Sequence, residues 1–372
     1  MRVYGKFRGN NSWSVVGRGM AQAAGAEGLL SGTYDPNDEE PSAGGEDPAA
    51  LCTGLLVSLD HALMVPPHRK IAFLLAPNCG RIPEDALRSV CRADVVLSPS
   101  SWGKDVILSE IERHGITPKP VVVCQHGVDM GDEVPAPPVL SGPMRFLHMV
   151  AGLSYGLERK GTYELLEAWK LWAPTDAELH IVADPEGAMM LRDYLAAELH
   201  VDEAPDGGMM CRNYLDVAPT VHVHNRVDLA GQTLVSLYQS HHYVIQPSRV
   251  EGFGMVPLEA LCCGVPVVLT AGTGHLEYLT GGYSEETRSP AAVRIPIGAD
   301  SQMWNNNLGP SVAPADILDA LERARAHYEV LRRQADASAS AMRCAWSWHR
   351  RAGDWCREFQ KAAEAAEARD NG

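Results

Sequence analysis

Between the apolar runs Tyr243-Val-Ile-Gln-Pro-Ser248 and Ala260-Leu-Cys-Cys-Gly-Val-Pro-Val-Val268 the chain reads Glu251-Gly-Phe-Gly-Met-Val-Pro-Leu-Glu259. That order specifies strand, glycine turn, helix, glycine stop and strand. Pro257 suits a first helical position, where the missing NH has no intrahelical partner, and Glu259 then falls in the first turn. The amides of Gly254, Met255 and Val256 are expected to face outward at a positive helix end, which holds an anionic group such as a diphosphate. Gly252 and Gly254, without side chains, let such a ligand come close to the backbone. A carboxylate beside it accepts two hydrogen bonds from a vicinal diol, the chemical face of a ribose or a hexose.

The rest of the chain alternates in the same way. Short apolar runs at 52–59, 70–75, 94–97 and 120–123 read as buried parallel strands, and 83–92 and 102–114 between them have helical spacing. Residues 134–143 hold four prolines, a stiff connector suited to a domain boundary. A second series follows, with strands at 144–150, 178–182 and 221–224 and helices at 161–172, 189–199 and 232–239. At 372 residues the chain exceeds one ordinary core, and the pattern gives an α/β fold of two Rossmann-like, doubly wound domains facing across a cleft. The expected boundaries are 1–143, 144–340 and a C-terminal helical segment at 341–372. The last is expected to pack on the body through Trp346, Trp348, His349, Trp355 and Phe359.

A second anion site is expected at Arg159-Lys160-Gly161, between a strand with its glycine loop and a helix. Two cations at such a junction neutralise a diphosphate and stabilise the charge that grows on it as a glycosidic bond breaks. Taken singly, the glutamates, the Gly-Phe-Gly turn and the Arg-Lys pair are ordinary capping, turn and surface chemistry. Together, with the flanking Pro-Ser and Cys-Gly-Val-Pro-Val-Val, they resemble the Glu-x7-Glu signature and the Arg-Lys-Gly element of retaining GT-B glycosyltransferases of family 4.

That resemblance implies an enzyme moving a hexose from a nucleoside-diphosphate sugar, UDP- or GDP-linked, to an acceptor hydroxyl with retained stereochemistry. It implies that Lys160 and Arg159 contact the donor phosphates, Glu259 the ribose and Glu251 the transferred sugar, while Arg226 and Val227 meet the base. The loop Gly9-Asn-Asn-Ser-Trp-Ser-Val-Val-Gly-Arg-Gly19 is similar to the family's donor-side loop, with Asn11 and Ser12 in place of its usual glycine pair. Val122-Val-Cys-Gln-His-Gly-Val-Asp129 is similar to its His-Gly-Val-Asp element. Where many relatives carry His or Glu after a first-domain strand, this chain has Asn78. The acceptor-side polar group therefore stays open among Asn78, His126, Asp60 and His61.

Net charge and cysteine pattern narrow the alternatives. A formal charge of −15 argues against a mainly electrostatic grip on nucleic acid, although Arg2, Lys6, Arg8 and Arg18 precede the first acid and leave a basic edge. The acceptor classes are accordingly a glycan, a lipid or a small molecule, with a hydroxymethylated DNA base as in viral glycosyltransferases a second reading. A non-catalytic nucleotide-sugar binder is the third. Nine scattered cysteines without a Cys-x-x-Cys pair suggest neither a zinc cage nor a disulfide framework, and the absence of a signal core or spanning run points to a cytoplasmic protein without a membrane span. His222-x-His224 and His241-His242 lack a third ligand in the sequence pattern, and no Asp-x-Asp is present to hold a divalent ion. No metal cofactor is expected.

Overall fold

The computed structural model describes residues 2–4, 18, 22, 32–34, 49–53, 70–74, 79–131, 134–150, 154–196, 199–203, 209–213, 220–225, 231–280, 291–303, 307–351, 353–355, 357 and 361. By contacts the chain forms two units. One comprises Met1–Asp129, Glu251–Met255 and Cys344–Gly372, the other Met130–Val250 and Val256–Arg343.

The first unit is built on a parallel sheet of β1 (Arg2–Tyr4), β2 (Gly32–Tyr34), β3 (Ala49–Thr53), β4 (Lys70–Leu74), β5 (Val95–Ser98) and β6 (Val121–Val123), in the order β2-β1-β3-β4-β5-β6. All four residues of β5 are buried, which is why its sequence runs apolar without alternation. Helices Glu84–Val90 and Ser101–Arg113 turn Leu87, Val90, Ile107 and Ile111 into one core with Val96. Ser100 starts the second of these helices by accepting a hydrogen bond from the Gly103 amide at 3.0 Å.

The second unit carries β7 (Met144–Val150), β8 (Ala177–Ala183), β9 (Leu199–Glu203), β10 (Met209–Asn213), β11 (Val221–Asn225), β12 (Tyr243–Gln246), β13 (Val267–Thr270) and β14 (Ala292–Ile295). Its sheet order is β14-β13-β12-β7-β8-β11-β10-β9, parallel from β14 to β11, with β10 antiparallel to both its neighbours. The chain starts in the middle at β7, runs outward through β8 and β11, and returns to the other side at β12. That is the doubly wound pattern, and its switch point lies between the C-terminal ends of β7 and β12. Phe146 and Tyr243 stack at 5.4 Å inside this core, and the Tyr243 hydroxyl donates to the Ala324 carbonyl of the long helix Pro314–Trp346.

Several expectations shift in detail. The proline-rich stretch belongs to the second unit, where the Pro135 carbonyl accepts from Gln239 at 2.7 Å, and the division falls at Asp129 and Met130 rather than at 143. The C-terminal residues from Cys344 are grouped by contacts with the first unit. Trp346, Trp348 and Trp355 are buried there, whereas His349 is exposed; Phe359 lies outside the described residues. The helix expected over 189–199 runs instead from Pro185 to Ala196, and Leu199 already belongs to β9.

Candidate donor-binding site

Both loops at the β7/β12 switch point carry residues singled out in the sequence. After β7, helix Ser154–Arg159 leads through Lys160 to Gly161 and helix Thr162–Trp172. Gly161 has φ 67°, and a Cβ there would lie 2.1 Å from the Pro247 carbonyl oxygen, so only glycine fits between the two loops. Beyond β12, the Arg249 amide donates to the Arg159 carbonyl at 2.9 Å, and the Arg159 guanidinium donates back to the Val250 carbonyl at 3.0 Å. The Arg249 guanidinium, itself buried, donates to the Pro310 carbonyl at 3.0 Å and to the Ser301 hydroxyl at 2.7 Å and pairs with Glu158 at 3.3 Å. Beneath this turn the fully buried His148 of β7 bridges the Ile245 carbonyl at 3.0 Å and the Thr162 hydroxyl at 2.9 Å.

The helix after the glycine turn spans Met255–Cys262, so it begins two residues before Pro257, and Glu259 sits in its second turn. Gly254 has φ 84° and makes the left-handed entry the turn requires. Pro257 still falls in the first turn, where an amide would have no intrahelical acceptor. Glu259 is partly buried, and its Oε2 accepts from the Tyr238 hydroxyl at 2.5 Å. Desolvation raises the Glu259 carboxyl above the ordinary range, opposed by the Tyr238 hydrogen bond and by the positive charge of Lys160. Tyr238 is held well above its usual value by its own burial and by the Glu259 charge, so it remains a donor. The two loops thus present a cation and an oriented carboxylate from the same sheet edge.

The remaining candidates separate. Glu251 is buried and belongs, with Gly252, Phe253, Gly254 and Met255, to the first unit. His126 lies in that unit too, 5% exposed, with its ring stacked on Phe253 at 5.1 Å and near Trp348 and Trp355. Neither of its ring nitrogens has a hydrogen-bond partner among the described residues, and desolvation lowers its pKa to about 3. His126 is thus packed among aromatic rings, and a Cβ on Gly127 would meet the Trp348 backbone at 2.6 Å. Asn11, Ser12, Asp60, His61, Asn78, Arg226 and Val227 lie outside the described residues.

Three residues of the site carry no sequence signal of their own: Tyr238, Arg249 and His148. Another gathering becomes visible only in the fold. The register of β8 against β11 sets His180 opposite His222, and Glu178 joins these two; of the histidines noted in the sequence pattern only His222 belongs to this group.

The chain is 50% identical over 50 residues to a lipopolysaccharide core biosynthesis mannosyltransferase, LpsB, of Rhizobium meliloti (strain 1021), covering 13% of this chain and 14% of that one. It is 34% identical over 109 residues to a D-inositol 3-phosphate glycosyltransferase of Corynebacterium jeikeium (strain K411), covering 29% of this chain and 24% of that one. The chain therefore spans less than a quarter of the length of these curated relatives. Two solved structures are similar along nearly the whole chain. Sucrose-phosphate synthase from Thermosynechococcus elongatus has a TM-score of 0.66 at 14% identity, covering 98% of this chain and 99% of that one. The apo form of the lipopolysaccharide outer core galactosyltransferase WaaB has a TM-score of 0.59 at 13% identity, with the same coverage. At such identities the likeness is one of fold, and the fold is GT-B. Residues 113–354, more than half of the chain and including both switch-point loops, match the family described as family 4 glycosyltransferases in conflict systems, and the chain belongs to that family.

Proposed function

We propose that this chain transfers a hexose from a nucleoside-diphosphate sugar, UDP- or GDP-linked, to an acceptor hydroxyl, with retained stereochemistry and without a divalent ion on the diphosphate. The observation that carries this reading is the placement of Lys160 and Glu259 on the two loops that meet at one switch point. Lys160 and the Val256 amide at the helix end bind the diphosphate, and Arg159, tied to Val250, holds the loop that presents Lys160. Glu259, with Oε2 fixed by Tyr238, accepts from the ribose hydroxyls. Glu251 orients the hexose without attacking it.

The bond from the anomeric carbon to the phosphate oxygen breaks, the acceptor oxygen bonds to that carbon on the same face, and its proton passes to the departing phosphate. Lys160 contributes most at this stage, because its contact strengthens as the phosphate gains charge. The test incubates the full chain with UDP-, GDP- and ADP-hexoses in the presence of EDTA and follows release of the nucleoside diphosphate. Slow release from one donor is expected, followed by a product with retained anomeric configuration once free sugars, lipids and hydroxymethylated DNA are screened as acceptors. Binding without release from every donor would make the chain a nucleotide-sugar binder. Activity abolished by EDTA and restored by manganese would overturn the metal-free donor site.

A further inference from the structure

We infer that Glu178 and His180 of β8 with His222 of β11 form a binding site for a divalent transition metal of zinc's ligand preference, apart from the donor loops. Residues two apart on a strand share a face, and the parallel register sets His180 directly opposite His222. The three side chains bring one ligand atom each within 4.8 Å of one another. Ligands around tetrahedral zinc stand ~3.3 Å apart, given bonds of roughly 2.0–2.1 Å, so small side-chain rotations close the set.

The surroundings are those of a metal ligand set. His180 Nδ1 lies 3.0 Å from His224 Nε2, which fixes the His180 ring through one nitrogen and leaves Nε2 directed at Glu178 Oε2, 3.3 Å away. The His222 ring stacks on His180 at 4.5 Å, and the His241 ring meets it edge-on at 4.8 Å. Nε2 of His222 is buried without a hydrogen-bond partner among the described residues. A buried polar nitrogen left without a partner is costly, and a metal ion would satisfy it. A cavity of about 360 Å³, with Arg145, His224, Ser240 and His241 among its lining residues, reaches His180, one of the three proposed ligands.

Charge selects the kind of ion. Arg145, on the same cavity, opposes any cation, and the Glu178 carboxylate offsets it. Calcium and magnesium require mainly oxygen ligands, which this face does not supply, whereas zinc accepts two imidazoles and a carboxylate.

The test strips the full chain with chelator, returns it to metal-free buffer at pH 7.5 and titrates zinc chloride or magnesium chloride by calorimetry, with melting curves alongside. One zinc per chain and a raised Tm are expected, with no response to magnesium. Glu178→Gln and His222→Phe should each weaken zinc at least tenfold, since even residues that only orient a ligand cost about 10- to 100-fold in affinity. Unchanged zinc binding in both folded variants, or no binding in the wild type while inorganic phosphate raises Tm through Arg145, would overturn the proposal. Should either variant fail to fold, cobalt(II) bound to the wild type decides. Intense visible bands of a tetrahedral site support it, and a pale octahedral spectrum refutes it.

Discussion

His148 and His126 are both buried histidines, one in each unit, yet their surroundings are opposite. His148 is wholly enclosed with both nitrogens partnered, tying β7 to Ile245 of β12 and to Thr162 below the Lys160 turn. His126 is packed among Phe253, Trp348 and Trp355, with neither nitrogen partnered among the described residues. The first holds two strands and a helix in the arrangement the donor loops need. The second fills space at the cost of desolvating an imidazole. Burial alone does not identify a functional histidine; the partners of its nitrogens do.

Substituting both residues tests this contrast most severely. His148→Leu strands the Ile245 carbonyl and the Thr162 hydroxyl in the core and should cost about 3–5 kcal/mol in the second unit. His126→Leu removes two unpartnered polar atoms at similar volume and should change the stability of the first unit by less than about 1 kcal/mol in either direction. Urea titrations read by hydrogen exchange of peptides from each unit separate the two effects. Equal losses would break the comparison.

The next expected effect lies on the loop that His148 supports. Lys160→Ala should lower kcat/KM by about 10- to 150-fold, equivalent to a loss of about 1.5–3 kcal/mol for a charge-assisted contact, with Tm unchanged. Steady-state release of the nucleoside diphosphate measures it. An unchanged kcat/KM with every donor would remove Lys160 from the site and leave His148 a purely structural clamp.

The frame of this site is legible in the sequence because parallel strands buried on both faces read as unbroken apolar runs. β7 spans the expected 144–150 from end to end, and the Glu-x7-Glu unit appears as strand, turn, helix and strand. What the pattern does not carry is pairing at a distance. His148 reads as a polar interruption of an apolar strand, and its partner Ile245 is 97 residues away. Tyr238 closes a helix 21 residues before Glu259, where no periodicity links them. The antiparallel β9–β10 pair is a different case, since Asp206-Gly207-Gly208 stands between the two strands as a turn signal while the apolar spacing before it favours continuing the helix.

Tyr238 offers a finer test of whether Glu259 is prepared for a diol. Tyr238→Phe deletes the donor to Oε2 at nearly constant volume, and a hydrogen bond to a charged group contributes roughly 1.5–3 kcal/mol. Affinity for bare UDP or GDP should fall by about tenfold, and Glu259→Gln should fall at least as far because its amide nitrogen cannot accept from a ribose hydroxyl. Glu251→Gln, proposed to face only the hexose, should leave bare nucleotide affinity intact while slowing transfer. Calorimetry with the free nucleotides distinguishes them, and loss of bare nucleotide binding in Glu251→Gln alone would reverse the assignment of the two carboxylates.

The smallest expected effect is a pH dependence, and it returns to His126. Its pKa is about 3 in the folded protein against roughly 6.5 in an unfolded chain, so below pH 6.5 the unfolded state takes up a proton that the native state refuses. The stability tied to keeping His126 neutral is therefore complete above pH 6.5 and is lost as pH falls toward 3. At pH 5.5 the loss amounts to about 1.4 kcal/mol, one unit of proton linkage. His180, His241 and His242, held at about 2, 4 and 4 by burial and neighbouring charges, impose the same sign on the second unit, so that unit should weaken more steeply with acid. His126→Leu should flatten the acid slope of the first unit alone, measured as urea midpoints between pH 7.5 and 5 by hydrogen exchange. A slope unchanged by His126→Leu would mean that the imidazole finds a partner in solution, and the contrast with His148 would fail at its weaker member.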